Sequence, residues 1–258
     1  MPARSPTDGG PDVPVTADRT SRTGQFGPDT YADWRASSLG EITETLEQRL
    51  IHRLAGEIRG CAVLDVGCGD GALTRAFRHG GAAFVAGCDT DPRMIARACA
   101  QRAQMGADII YAVARAEQLP FRDGSFDLVT VITVLAFVPE PELALREIAR
   151  VLKPSGRLVV GDLGKWSLWA ASRRIRAWLG APMWKAARFR SAGELRSLAE
   201  AAQFGVERVT GAVYYPRSTR LARVMAPFDP TLGKATTIGA AFIALRAIKP
   251  GVPRTALR

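Results

Sequence analysis

Three glycines within five residues form the part of the sequence best suited to hold a ligand. Gly67, Gly69 and Gly71 follow Asp65, and a helix-compatible stretch comes directly after them. Glycine has no Cβ atom, so such a loop turns tightly and leaves its backbone N–H groups open to a ligand. The helix that follows adds the positive end of its dipole. We therefore expect this loop to bind a nucleotide-like ligand.

Two known loop patterns fit these residues. Gly67, Gly69 and Ala72 match the G-x-G-x-x-G/A pattern of dinucleotide-binding proteins. The three glycines with Asp65 match D-x-G-x-G-x-G, which is typical of proteins that bind S-adenosylmethionine (SAM). A carboxylate at Asp65 would repel a pyrophosphate but attract the cationic amino end of SAM. The charge favours SAM over a dinucleotide, and a tight turn that binds nothing is the remaining alternative.

A second carboxylate stands at a spacing expected for ribose binding. Asp89 ends the next apolar run, 18 residues after Gly71. In such folds an acidic residue about 20 residues after the glycine loop accepts hydrogen bonds from ribose hydroxyls. The alternative is that Asp89 caps the next helix, which accounts less well for its spacing.

The elements that position these residues alternate along the chain. Short apolar runs predict strands, and helical patterns lie between them. The predicted strands cover residues 62–66, 82–88, 109–114, 126–132 and 156–162. This alternation predicts an α/β fold with a doubly wound parallel sheet. An amphipathic helix with Ile42 and Leu54 on its apolar face precedes the first strand, and we expect it to lie across the sheet or over the site as a lid.

Composition narrows the class of protein. The chain has 258 residues, 47% of them hydrophobic, and no apolar run near the ~20 residues that span a bilayer. Its first residues lack the apolar stretch of a signal peptide. Four cysteines and two histidines show no paired metal-ligand spacing. We expect a soluble cytoplasmic protein with reduced thiols and no metal.

The net charge of +10 is concentrated in the second half. Residues 165–190 hold seven basic residues and no acidic one, and residues 217–258 hold eight basic residues against Asp229 alone. Such asymmetry marks contact with nucleic acid or an anionic membrane, or a solvated basic face. Residues 1–27 lack apolar periodicity, so we expect a disordered tail followed by a single domain over residues 28–258.

Four motifs in this order resemble the class I SAM-dependent methyltransferases. They occupy residues 63–71, 116–121, 123–127 and 150–156, and they are most similar to the small-molecule branch that includes ubiquinone and menaquinone biosynthesis enzymes. The resemblance implies SAM as cofactor and methyl transfer to a small hydrophobic or anionic molecule. It also implies a Rossmann-like seven-stranded sheet of order 3-2-1-4-5-7-6, the last strand antiparallel, with its sixth and seventh strands at residues 206–213 and 242–248.

The resemblance also assigns cofactor-binding residues. Asp65, Gly67, Cys68 and Gly69 would hold the methionine part of SAM, Asp89 the ribose, Thr90, Met94, Ala116 and Glu117 the adenine, and Thr133 the sulfonium side, with Tyr31 as a lid aromatic. One position departs from the family. Many relatives have an acidic residue where this chain has Arg115, which we expect either to stack on the adenine or to point to solvent.

The acceptor side is expected at residues 164–190, a cap inserted after the fifth strand. Aromatic and basic residues alternate there, and we assign acceptor contacts to Trp166, Trp169, Arg173 and Trp178. Such a surface fits a hydrophobic acceptor with an anionic group, or an anionic membrane. A helix pair packed on the core with a basic outer face is the alternative.

The sequence contains one weak candidate for a general base. Asp162, at the tip of the fifth strand, is the best acidic candidate by location, whereas His52 and His79 lie on predicted helices as surface histidines. Three other functions remain open. A dehydrogenase is disfavoured by Asp65. An RNA or DNA methyltransferase fits the basic charge but would have a base-flipping motif where Thr133-Val-Leu-Ala stands. A non-catalytic SAM-binding protein is the third.

Overall fold

A computed structural model of the chain describes residues 33–105 and 108–251. The predicted disordered tail and Tyr31 lie outside these residues. A short helical segment covers residues 33–36. The elements that follow are α1 (Ser38–Ala55), β1 (Ala62–Val66), α2 (Ala72–His79), β2 (Phe84–Asp89), α3 (Pro92–Met105), β3 (Ile110–Val113), β4 (Phe126–Ile132), α4 (Pro141–Val151), β5 (Leu152–Leu163), α5 (Leu168–Trp178), α6 (Pro182–Ala186), α7 (Ala192–Ala201), β6 (Gly205–Ala212), α8 (Thr219–Met225), a 3-10 turn (Ala226–Phe228), α9 (Asp229–Ala235) and β7 (Phe242–Ile248).

The strands form one seven-stranded sheet, and its order is β3-β2-β1-β4-β5-β7-β6. Strands β1 to β5 run parallel, while β7 is antiparallel to both β5 and β6. This confirms the predicted α/β fold and its strand order. Because the parallel strands end at one edge of the sheet, the residues that follow β1, β2 and β4 come close together.

The predicted start of the fifth strand needs correction. Helix α4 ends at Val151 and β5 begins at Leu152, whereas the sequence predicted a strand only from residue 156. Leu152 is already extended and pairs with Phe126 of β4. Pro154 disfavours helical geometry at the residue before it, so the chain changes conformation earlier than the glycine at 156 suggested.

Side chains from alternate positions of the strands build two apolar layers. One contains Leu64 and Val66 of β1 with the buried residues of α4 and α7. The other contains Val63 of β1 with α1, α2, Trp169 and Ala222. Successive strand residues point to opposite faces, so each short strand serves both layers. Burial on both faces therefore holds each strand, and the residues at its end, in place.

Helix α1 packs across the second half of the sheet, against β5, β6 and β7 and against α8. Ser37 caps its first turn by accepting a hydrogen bond from Gly40 N at 3.1 Å. The buried face contains Leu46, Leu50 and Leu54, as the apolar spacing predicted. Among the described residues no helix is both long and apolar enough to cross a bilayer.

Candidate functional site

The glycine loop joins β1 to α2 and is tied to β2. Gly67, Gly69 and Gly71 all have positive φ, at +73°, +55° and +78°. The N–H groups of Gly67 and Cys68 both donate to the carbonyl of Cys88, at 2.7 and 2.9 Å. A residue with a Cβ atom is strained at positive φ. The geometry of the loop therefore requires glycine at each of these three positions.

Gly67 and Gly69 face different surroundings. A Cβ atom on Gly67 would lie 2.0 Å from Cγ2 of Val134, so this glycine is needed for packing as well as for φ. A Cβ atom on Gly69 would meet nothing within 4 Å. Gly69 therefore borders open space at the carboxyl edge of the sheet, where a ligand can approach its backbone.

Asp89 stands at the end of β2 and borders the same space. Its Oδ2 accepts a hydrogen bond from Gly69 N at 3.0 Å, and its Oδ1 accepts one from Asp91 N at 2.9 Å. The side chain is half-buried, and burial raises the pKa of its carboxyl against the lowering effect of these N–H donors. Each carboxylate oxygen has a second lone pair, which leaves acceptors for ribose hydroxyls.

Asp65 points into the protein beneath the loop. Only 2% of the residue is exposed, and its two oxygens accept hydrogen bonds from the hydroxyls of Thr74 at 2.7 Å and Thr130 at 2.8 Å. Burial raises the pKa of its carboxyl to about 6. Cys68 is buried beside it, and burial raises the pKa of that thiol so that it stays protonated. Both carboxylate oxygens thus have hydroxyl partners inside the protein, and Asp65 contributes its charge to the surroundings of the loop.

The residues assigned to the adenine follow β2 and β3. Ala114 N donates to the carbonyl of Asp89 at 3.0 Å, which brings the chain before Ala116 next to the tip of β2. Ala116 is buried and Thr90 is exposed. Arg115 is exposed and donates to Glu117 Oε1 at 3.0 Å. Of its two expected roles, this geometry fits the side chain that points to solvent.

Thr133 follows β4 in a strained conformation. Its φ is +59°, although it is a β-branched residue, and its N–H donates to the carbonyl of Gly161 at 2.7 Å. Non-glycine residues held at positive φ concentrate at functional sites, where the surrounding structure imposes them. The expected place of Thr133 on the sulfonium side of SAM stays a prediction.

The structure contradicts the catalytic role expected of Asp162. Its side chain is fully buried in an ion pair with Arg190 Nη1 at 2.6 Å and also accepts a hydrogen bond from Leu163 N at 2.9 Å. A base must reach the proton that it abstracts. Because β5 directs this carboxylate into the protein, Asp162 ties residue 190 to the strand instead.

Residues of the segment 164–190 form a cluster of arginine and tryptophan side chains together with the more distant Arg217. The guanidinium carbon of Arg217 lies 5.2 Å from the ring centre of Trp169, and that of Arg173 lies 5.3 Å from Trp169 and 4.8 Å from Trp184. Such distances are those of cation–π contacts. We call these four residues the arginine–tryptophan stack.

The stack is anchored to helix α1, which lies across the sheet. Trp169 is buried, and its Nε1 donates to the carbonyl of Tyr215 at 2.7 Å. The hydroxyl of Tyr215 lies 3.0 Å from that of Thr43 in α1. One turn further along α1, Glu47 lies near Arg173. Burial raises the pKa of Glu47 to about 8, and the positive charge of Arg173 opposes this rise. The sequence did not single out Glu47, because a glutamate on an amphipathic helix carries no signal of what faces it.

Two of the tryptophans assigned to the acceptor lie apart from this stack. Trp178 is 85% exposed on the outer side of α5, and Trp166 is 59% exposed beside Lys165, 5.4 Å from its Nζ. Helical spacing accounts for the difference, since positions 169 and 173 share one face of α5 and position 178 does not. Of the four assigned residues, the structure brings together Trp169 and Arg173 only.

Arg35, which the sequence did not single out, joins the segment before α1 to the glycine loop. Arg35 Nη1 donates to both oxygens of Asp70, at 3.1 and 3.0 Å, and its Nε donates to Glu44 of α1 at 2.8 Å. Tyr31, the expected lid aromatic, lies outside the described residues. Arg35 is thus the described residue through which the segment before α1 contacts the loop.

Known proteins resemble this chain in sequence and in fold. The model of the family described as "Methyltransferase domain" matches residues 64–160. A ubiquinone biosynthesis O-methyltransferase of Caulobacter vibrioides is 33% identical over 172 residues, which are 64% of this chain and 67% of that protein. The chain belongs to the SAM-dependent methyltransferases.

Other methyltransferases match a shorter region. The 27-O-demethylrifamycin SV methyltransferase of Amycolatopsis mediterranei is 34% identical over 137 residues, 51% of this chain and 49% of that protein. A ubiquinone biosynthesis O-methyltransferase of Xanthomonas euvesicatoria is 36% identical over 110 residues, 42% and 46% of the two chains. The chain thus spans about half the length of these relatives.

Solved structures of methyltransferase fold match over more of the chain. A SAM-dependent methyltransferase of Thermotoga maritima, described as a possible histamine N-methyltransferase, covers 86% of this chain and 95% of its own, with a TM-score of 0.64 at 23% identity. The [4+2]-cyclase SpnF covers 80% and 81%, with a TM-score of 0.61 at 22% identity. At this identity the likeness shows the fold alone, and one fold carries differently named activities.

Proposed function

We propose that this methyltransferase moves a methyl group from SAM to a small hydrophobic or anionic molecule by in-line displacement. The observation that carries the proposal is the open space at Gly69 beside the carboxylate of Asp89. A backbone without a side chain and a carboxylate with free lone pairs suit the amino-acid and ribose parts of SAM. Membership of the family supports the same cofactor.

The residues at the carboxyl edge would divide the cofactor among them. The glycine loop and the charge of Asp65 would hold the amino-acid end, Asp89 the ribose, and the chain from Ala116 to Glu117, with Thr90 and Met94, the adenine. Thr133 would face the sulfur. When bound, SAM would supply a methyl group on a cationic sulfur, and the neutral thioether that remains after transfer is a good leaving group.

Given this cofactor, the protein has to align the acceptor and exclude water. Alignment of two reactants removes much of the entropic barrier of a bimolecular step. A base is needed only if the acceptor loses a proton during the transfer. The acceptor would enter from the side of α1 and α5, where the arginine–tryptophan stack offers aromatic faces and positive charge. This composition supports an acceptor that is hydrophobic, anionic or both.

Calorimetry with SAM tests the proposal directly. Asp89→Ala removes the ribose acceptor and Gly69→Val fills the open space, so each should weaken SAM binding by at least ~1.5 kcal/mol, about tenfold. Asp123→Ala is the matched control, because Asp123 is an exposed carboxylate on a surface turn. Unchanged affinity in both site variants, or tighter binding of NAD than of SAM, would exclude the proposed cofactor site.

Turnover distinguishes an enzyme from a protein that only binds SAM. Transfer of label from methyl-labelled SAM to a panel of small acceptors is the measurement, with RNA and DNA as the competing class of acceptor. Label in a small molecule supports the proposal, and label only in nucleic acid would replace it. We place this activity in the cytoplasm, which the four free cysteines support.

An anionic membrane surface is a second partner that we propose, for the outer side of α5. Trp178 and the exposed apolar residues Ile175 and Leu179 lie there among the basic residues Arg174 and Arg176. Exposed aromatic and basic side chains together suit the interface of an anionic bilayer. Trp178→Ala and Arg176→Glu should each reduce co-sedimentation with phosphatidylserine vesicles, and salt should reduce it for the wild type. Equal sedimentation with neutral vesicles would contradict this.

A further inference from the structure

The arginine–tryptophan stack holds positive charge that the described part of the protein leaves without a close counter-ion. No carboxylate among the described residues forms a salt bridge with Arg173 or Arg217. The two guanidinium groups lie on Trp169, and each is also near the positive charge of Arg176. Burial lowers the pKa of Arg173 to about 10; the charge of Glu47 opposes this shift, and the charges of Arg217 and Arg176 add to it. Positive charge accumulated in this way favours an anion.

Arg173 also has a buried donor with no acceptor. Its Nε has no hydrogen-bond partner, although the atom is buried. Most buried polar groups in proteins are hydrogen-bonded, so an orphaned N–H indicates a missing partner. Arg217, by contrast, is exposed, so the stack is closed at Arg173 and open to solvent at Arg217.

Glu47 and the two carboxyl groups that act on it, Glu44 and Asp229, form no salt bridge with Arg173. Asp229 is buried and accepts hydrogen bonds from the N–H groups of Val213 and Tyr214, both at 3.0 Å. Glu44 is held by Arg35. Glu47 remains, and burial together with the charges of Glu44 and Asp229 raises its pKa to about 8. At neutral pH most of Glu47 is therefore protonated and leaves the arginines uncompensated.

We propose that Arg173 and Arg217, on Trp169, form a subsite for an oxyanion group of the acceptor, of the carboxylate type. This inference rests on the proposed function, because it places the acceptor beside the helix that is tied to the glycine loop through Arg35. A guanidinium binds a carboxylate through paired N–H donors, and the buried Nε of Arg173 would gain its missing acceptor. The methyl-accepting atom would then lie at the other end of the acceptor, toward Thr133.

A pair of probes that differ only in charge tests the subsite without turnover. Naphthalene-2-carboxylate and the neutral naphthalene-2-carboxamide are titrated into the full-length protein, and tryptophan fluorescence is followed. We expect the carboxylate to bind at least tenfold more tightly than the amide. We expect Arg217→Gln and Arg173→Gln each to remove most of this difference, with SAM affinity within about threefold of the wild type.

Arg220→Gln is the control, because it removes one exposed positive charge from the neighbouring helix α8 without touching the stack. Equal affinity for the two probes, a loss in Arg220→Gln as large as in Arg217→Gln, or carboxylate binding weaker than about 1 mM would overturn the inference. Arg217 is exposed, so its variant is informative even if Arg173→Gln fails to fold. Loss of SAM binding with the carboxylate preference intact would instead contradict the proposed function alone.

The protonation of Glu47 gives an independent readout. Raising the pH from about 7 to about 9 ionises Glu47, whose negative charge then competes with the probe for Arg173. Carboxylate affinity should therefore fall severalfold over this interval in the wild type and stay level in Glu47→Gln. The groups that act on Glu47 are Arg173, Glu44 and Asp229, and of these only Arg173 is a cation. An identical pH profile in the two proteins would rule out this coupling.

Discussion

Two hydrogen bonds join Arg35 to Asp70, so that a side chain before helix α1 holds the glycine loop from outside. The same guanidinium binds Glu44, and all three side chains are at most 21% exposed. Partly buried, charge-assisted bonds of this kind stabilise more than exposed ones do. The loop is therefore held by the region that covers it as well as by β2.

Arg35→Gln tests this contact. Losing the bidentate bond to Asp70 should lower the free energy of unfolding by about 1 kcal/mol and raise the dissociation constant of SAM severalfold, because the loop loses a constraint. Urea denaturation and calorimetry measure the two effects. Arg196→Gln breaks an exposed pair with Glu200 and should change neither. If the two variants behave alike, Arg35 does not hold the loop.

The contrast between Gly67 and Gly69 yields a second prediction. Gly67→Ala places a methyl group against Val134 and should destabilise the fold by several kcal/mol. Gly69→Ala meets open space, so its cost to folding is limited to the positive φ, about 1–2 kcal/mol. Thermal melting of both variants is the measurement. Equal destabilisation would mean that the space beside Gly69 is not open.

Asp65 should make the stability of the free protein depend on pH. The pKa of its carboxyl is about 6 in the folded state, against 3.8 without burial, so the folded state binds more protons between these values. Its contribution to stability is therefore complete below pH 3.8 and is lost as the pH rises through 6, in total about 3 kcal/mol. From about pH 5 to about pH 7, urea denaturation should show a loss of roughly 1 kcal/mol that Asp65→Asn lacks.

Binding of SAM should couple to the same proton. The cationic amino end of SAM favours the ionised carboxylate, so binding releases a proton from Asp65 below pH 6. SAM affinity should rise severalfold between about pH 5 and about pH 7 in the wild type and stay level in Asp65→Asn. Calorimetry in buffers of different ionisation enthalpy counts the protons. Proton release that persists in Asp65→Asn would assign it to another group.

Thr133 and Ser155 provide a matched pair for the role of strain. Both have positive φ, at 59° and 63°, but Ser155 lies near the start of β5, where the pairing with β4 is irregular, at the end of the strand away from the glycine loop. Glycine at either position should stabilise the fold by up to about 1 kcal/mol, because it relieves the strain. Only Thr133→Gly should lower the turnover number. A similar loss of turnover in Ser155→Gly would separate strain at Thr133 from function.

The sequence predicts the cofactor half of the molecule well because its signals are local. Asp65, the three glycines and Asp89 are ordered by strand ends and turns, and the bounds of β1, β4 and β7 agree with the apolar runs. The acceptor half depends on contacts between distant residues. Arg217 contacts Trp169, and Glu47 lies near Arg173, because the chain after β6 and helix α1 lie on the same face of the sheet. No periodicity or motif encodes such pairs.

The misassigned role of Asp162 has the same origin. Asp162 lies at the tip of β5, as predicted, but the strand directs its side chain into the protein, where its partner is Arg190, 28 residues later in the chain. Likewise, Trp169 is buried and Trp178 is exposed because they lie on different faces of α5, and the aromatic composition alone does not distinguish them. Composition predicted the character of residues 164–190 but not which of its aromatic residues pack inside.

The ion pair between Asp162 and Arg190 also fixes one end of residues 164–190, so this segment could be exchanged without changing the sheet. Gly164 and Arg190 form a parallel bridge, and Lys165 N donates to the carbonyl of Arg190 at 2.8 Å, so the cap leaves and re-enters the sheet at nearly one point. A loop whose ends are pinned together can change in length at little entropic cost to the rest of the fold. The corresponding segments of other family members could be grafted between these two residues. If residues 164–190 contact the acceptor, as we propose, evolution or design could vary the choice of acceptor while the sheet stays the same.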